Sequence, residues 1–140
     1  MAKILCATRG GAASYRAQDG AIRLALDRGD ELSFLFVVNI GFLDKTARAV
    51  RPDIVEAEME RLGEFLLEMA RERAARQVID ADLVLRHGVL TEELAAAASE
   101  CQVETIVLGR PAEGSVYSLE ELESFAAEIE AKTGNQVLIL

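Results

Sequence analysis

The chain has 140 residues and a mass of 15.2 kDa, the size of one ordinary domain and enough to bury a core without covalent staples. Its composition is 51% apolar and 28% charged, too rich in large aliphatic residues for a disordered segment. A net charge of −9 repels a phosphate backbone, and no basic stripe offsets it, which excludes a nucleic-acid-binding role.

The first predicted element is a strand over residues 3–8 (KILCAT), followed by the turn Arg9-Gly10-Gly11. Residues 13–28 carry Ala17, Ala21, Leu24 and Ala25 at helical spacing, and Gly29-Asp30 stops the helix. A second strand over residues 32–38 (LSFLFVV) completes a βαβ unit. Residues 39–51 form the one long irregular connection. A helix over 53–77 then starts at Pro52-Asp53, with Met59, Leu62, Leu66, Met69 and the Arg73 stem as its predicted apolar stripe. The interspersed charges of residues 71–76 read as a solvated helix face.

A third strand is expected over residues 81–86, and an alanine-rich helix beginning at Thr91 over 92–100, whose small side chains permit close approach to a sheet. A fourth strand covers residues 105–109 (TIVLG). The helix over 119–132 has the clearest limits, because Ser118 and Glu121 form an S-x-x-E capping box and Thr133-Gly134 supplies a glycine end. Residues 136–140 (QVLIL) form the last strand. Continuous rather than alternating hydrophobicity in four of the five strands predicts a parallel sheet covered on both faces, hence a three-layer α/β/α sandwich with right-handed crossovers.

In such a sheet a ligand sits beyond the carboxyl ends of the strands, where the strand order reverses. Three segments reach that point: Thr8-Arg9-Gly10-Gly11, Asn39, and residues 109–117. Gly10 and Gly11 expose amides beside the Arg9 cation, a turn that can receive an anion, although two glycines are equally what a tight βα turn requires. Gly109 and Arg110, followed by Gly114, Ser115 and Val116, form the second glycine-rich turn leading to a helix. It is not a P-loop, because the lysine is missing, and GxGxxG is missing as well.

Catalytic signatures are absent. His87, the sole histidine, has no nucleophile at a recognisable spacing, and there is no GxSxG. Glu92-Glu93 and Glu120-Glu121 lie in first helical turns, where helix electrostatics accounts for them. Asp80 and Asp82 fit one exposed strand face as well as a metal site. Cys6 and Cys101 have no CxxC or histidine partner and read as buried free thiols of a reducing cytoplasm. No export signal precedes the first strand, and no window approaches the roughly eighteen apolar residues of a membrane span.

In KILCATRGGAAS with its following amphipathic helix, RHGVLTEELAAAASE, TIVLGR and the terminal QVLIL, the chain resembles the universal stress protein family along essentially its whole length. That resemblance implies one domain over residues 1–140 and a five-stranded parallel sheet of order 3-2-1-4-5. Many members of the family bind ATP or another adenine nucleotide as cofactor by a Gly-x2-Gly-x9-Gly-(Ser/Thr) loop after strand 4, and others lack the motif and bind none. Here Gly109 matches the first glycine, but the second falls on Ala112 and the final pair on Leu122-Glu123. Gly114-Ser115-Val116 resembles the motif's end at a shorter spacing, and Arg9 replaces the usual acidic residue after strand 1. The candidate contacts for an anion are therefore Thr8, Arg9, Gly10, Gly109, Arg110, Gly114, Ser115 and Val116, with ATP held weakly or not at all. The expected assembly is a homodimer through the C-terminal edge strand, acting non-catalytically on an unidentified protein partner without membrane insertion.

Overall fold

In the computed structural model, which describes residues 2–9, 12–39, 52–110 and 118–140, the apolar runs are strands and the amphipathic segments between them are helices. The order is β1 (Lys3–Ala7), α1 (Ala12–Arg28), β2 (Glu31–Val38), α2 (Pro52–Ala75), β3 (Asp82–His87), α3 (Leu90–Glu100), β4 (Thr105–Leu108), α4 (Leu119–Thr133) and β5 (Gln136–Ile139). All strand pairs are parallel, and the sheet order is β3-β2-β1-β4-β5, as expected. Element limits move by one or two residues from those read in the sequence.

Side-chain alternation explains why both faces are apolar. Ile4, Cys6, Phe34, Phe36 and Val38 point into a layer closed by α1 and α2, while Leu5, Leu35, Ile106 and Leu108 point into one closed by α3 and α4. The central residues Ile4, Leu5, Phe34 and Ile106 are completely buried, each contributing roughly 1.5–3 kcal/mol of hydrophobic stabilisation. Ala17, Ala21 and Ala25 on α1, and Ala97 and Ala98 on α3, are buried where the helices meet the sheet, so their small size sets the approach.

The apolar stripe of α2 differs from the sequence reading. Leu62 is 51% exposed, and the buried face runs through Gly63, Leu66, Leu67, Ala70 and Ala74, with Met59 packed at its edge. The reason is Gly63: a Cβ there would lie 2.8 Å from Phe36 Cε1 and 2.9 Å from Leu85 Cδ1. The helix backbone rests directly on the β2–β3 side chains at this turn, and Leu62 is rotated outward. A second departure is Cys101, which is only half-buried, whereas Cys6 is buried as expected.

Helix ends follow their local chemistry. The α4 cap at Ser118 accepts a hydrogen bond from the Glu121 amide at 3.1 Å, and Gly134 closes the helix with φ of 72°. At the end of α2 the Ile79 amide donates to the Ala74 carbonyl at 3.0 Å and Val78 takes φ of 64°. This is a Schellman-type stop built on a β-branched residue, a conformation that costs roughly 1–2 kcal/mol. Among the described residues, no helix is long and apolar enough to cross a membrane.

Candidate functional site

From β1 the chain steps outward to β2 and β3, and after β3 it crosses back to lay β4 on the other side of β1, so a crevice opens beyond the carboxyl ends of β1 and β4. A cleft of about 520 Å³ occupies this position. Its apolar lining comes from Ala7, Leu35, Val37, Leu90, Leu108, Leu122 and Phe125, and its polar lining from Thr8, Arg9, Asn39, Gly109 and Glu121. The volume lies in the range of small-molecule sites.

Thr8 is buried and held from two sides. Its amide donates to the Leu35 carbonyl at 2.8 Å, and its Oγ1 accepts from Gln18 Nε2 at 2.7 Å. The Arg9 amide donates to Ser14 Oγ at 3.1 Å, so this residue's candidate contact with an anion is its side chain. The Arg110 amide is likewise engaged, donating to the Leu140 carbonyl at 3.2 Å. Of the eight anion-contact residues expected from the sequence, Thr8, Arg9 and Gly109 share the cleft lining, and Arg110 follows directly. Gly10, Gly114, Ser115 and Val116 lie outside the described residues.

At the far wall stands the first turn of α4. Ser118 Oγ already takes the Glu121 amide, and Glu121 is among the residues lining the cleft. Leu122 and Glu123, where the nucleotide motif would place its last glycine and hydroxyl residue, are inside this helix. An amide otherwise able to bind phosphate is thus taken at Glu121, and a carboxylate stands beside it.

A family model described as the Universal stress protein family matches residues 1–138. The chain belongs to the universal stress protein family. No curated protein matches it. Among solved structures it is similar to a universal stress protein family member from Burkholderia pseudomallei, with 23% identity and a TM-score of 0.77 over 99% of this chain and 95% of that one. It is also similar to the universal stress protein UspA from Lactobacillus plantarum, at 15% identity and a TM-score of 0.79 over 99% and 97% of the two chains. The universal stress protein from Archaeoglobus fulgidus in complex with dAMP is 17% identical, with a TM-score of 0.63 over 99% and 96%.

Within this universal stress protein fold, two further clusters of polar side chains lie at the β3 edge. Arg86 faces α3 and donates to Glu93 at 2.8 Å and to Glu100 at 2.6 Å. The Glu93 hydrogen bond raises the guanidinium pKa above its ordinary value. Glu93 therefore has a structural partner that the helix-dipole argument did not supply. His87 alternates to the other face and meets Glu60 of α2. Together with Glu56 these form a group of three potential metal ligands, which does not include Asp80 or Asp82.

Sequence reasoning located the cleft's rim but missed Leu90 and Phe125 on its walls. It also missed the His87–Glu60 meeting. The signal for the latter was present: Glu56 and Glu60 are four residues apart on one helix, and His87 follows a β3 pattern in which Leu83 and Leu85 face that helix.

Proposed function

We propose that residues 1–140 form one non-catalytic regulatory module whose switch-point cleft holds ATP weakly or not at all and whose output passes through a protein partner. The observation that carries this reading is the entry to α4: the Glu121 amide is satisfied by Ser118, and Glu121, an acidic residue, lines the cleft. A carboxylate about 4 Å from a phosphate charge costs about 1 kcal/mol even in water, and each further phosphate adds to it. Ligand binding there favours a neutral or singly charged group over a triphosphate.

A second reading, an adenine-nucleotide switch, is favoured by the cleft's volume and mainly apolar walls, which suit a nucleoside. The similar Archaeoglobus fulgidus protein, solved with dAMP, supports it. In that reading Gly114 and Ser115 serve as a shortened phosphate loop. Mass spectrometry of the freshly purified, denatured chain separates the two: the first predicts no co-purified nucleotide, and a stoichiometric adenine nucleotide would replace it with the second.

The assembly in this proposal is a homodimer through β5, an edge strand of the sheet. Part of that edge is already occupied, because the Val137 amide donates to Glu130 Oε1 at 3.1 Å. The contact would therefore centre on Ile139, since Leu140 is already bonded to the Leu108 carbonyl and the Arg110 amide.

A further inference from the structure

The geometry points to a divalent metal site of the zinc class at Glu56, Glu60 and His87, on the opposite layer of the sheet from the switch-point cleft. Glu56 and Glu60 are separated by one helical turn on α2, so their carboxylates project from one face. His87 ends β3 in register with Val38 of β2, and the alternation that turns Leu83 and Leu85 toward α2 turns its imidazole the same way. Gly63, one turn after Glu60, brings the α2 backbone onto Phe36 and Leu85. The ligating atoms of the three residues consequently lie within 4.8 Å of one another. A tetrahedral zinc ion with bonds of about 2.0–2.2 Å needs its ligand atoms about 3.3 Å apart, a closure that rotation of these partly exposed side chains supplies.

The Glu60–His87 contact alone does not account for the cluster. It leaves Glu56 facing a second carboxylate, and among the described residues no lysine or arginine is ion-paired to Glu56. Two carboxylates converging on one imidazole retain net negative charge in either protonation state of the ring, and a dication neutralises both carboxylates at once. Donor chemistry selects the ion. Magnesium and calcium prefer six or more oxygens, whereas a nitrogen with two carboxylate oxygens suits zinc and its neighbours, and no sulfur is present to select copper(I). Three protein ligands on a half-exposed rim leave a coordination position for water, so the bound ion is exchangeable. Because one ligand is on β3 and two are on α2, the ion would tie the helix to the sheet's edge strand.

The test uses the full chain, free of any affinity tag and stripped with a chelator, with Zn2+ as the probe. His87 is the only histidine, so its imidazole nitrogens are a single unambiguous NMR reporter. One equivalent of Zn2+ should shift those resonances to a bound position. In competition against a chromophoric chelator, His87→Ala and Glu60→Gln should each weaken binding about tenfold or more, the least expected of a direct ligand when supporting residues alone cost that much. Cys101→Ser should leave affinity unchanged, and the Co2+-substituted chain should lack a thiolate charge-transfer band. An imidazole signal unmoved by stoichiometric Zn2+, or equal affinity in the wild type and His87→Ala, would overturn the site.

Discussion

Gly63 and Cys6 show how strongly single positions are fixed by their neighbours. A methyl group at Gly63 has ring carbons of Phe36 and a methyl of Leu85 inside van der Waals distance, in a layer where both are packed against the core. Helix propensity favours alanine over glycine by roughly 1 kcal/mol, but overpacking a well-filled core costs typically about 1–3 kcal/mol. Gly63→Ala should therefore lower stability in chemical denaturation despite its better intrinsic propensity; an increase in midpoint would show that α2 can lift off the sheet without loss. Burial pushes the Cys6 thiol pKa up to about 12, so almost no thiolate exists at neutral pH. In the native chain, a maleimide or disulfide reagent should modify half-buried Cys101 and leave Cys6 untouched until unfolding. Equal labelling rates at the two would contradict the buried position of Cys6.

Among elements, α4 is the one whose limits and function are most closely connected. Loss of the Ser118 cap leaves a first-turn amide without its partner, and Ser118→Ala should destabilise the chain by about 1 kcal/mol. An unchanged denaturation midpoint would mean that the cap adds nothing. The β5 edge makes a different prediction. Light scattering at micromolar chain concentration should give a dimer, and Ile139→Pro, which removes an outward amide but leaves the β4 ladder intact, should weaken it. Ile139→Lys is the poorer probe because Ile139 also packs on the α3/α4 core. A monomer in the wild type would discard the edge contact. The strands and helices were legible because periodicity and end signals are local. The rotation of α2 was not, since it depends on the Phe36 and Leu85 side chains that Gly63 meets. For the Glu60–His87 contact, 27 residues apart in the chain, the periodicity of α2 and the alternation of β3 were legible, but not the packing of α2 on β3 that brings the two side chains together.

At the scale of the whole molecule, the strand order β3-β2-β1-β4-β5 creates the switch point, and membership of the universal stress protein family accounts for that order. The cleft's location could be read in advance because it follows from topology, and Thr8, Arg9 and Gly109 do border it. Its chemistry was less accessible: the engagement of the Arg9 amide by Ser14 and of the Arg110 amide by Leu140 depends on tertiary placement. On the proposed reading, the capped entry to α4, with Glu121 among the residues lining the cleft, opposes phosphate binding there. The whole chain carries a charge of −9, which adds a long-range opposing field to that local one. Isothermal titration calorimetry with ATP and Mg2+ tests the central claim most directly: the capped, carboxylate-lined entry predicts no resolvable heat until ATP approaches millimolar concentration, and a dissociation constant in the low micromolar range would contradict it.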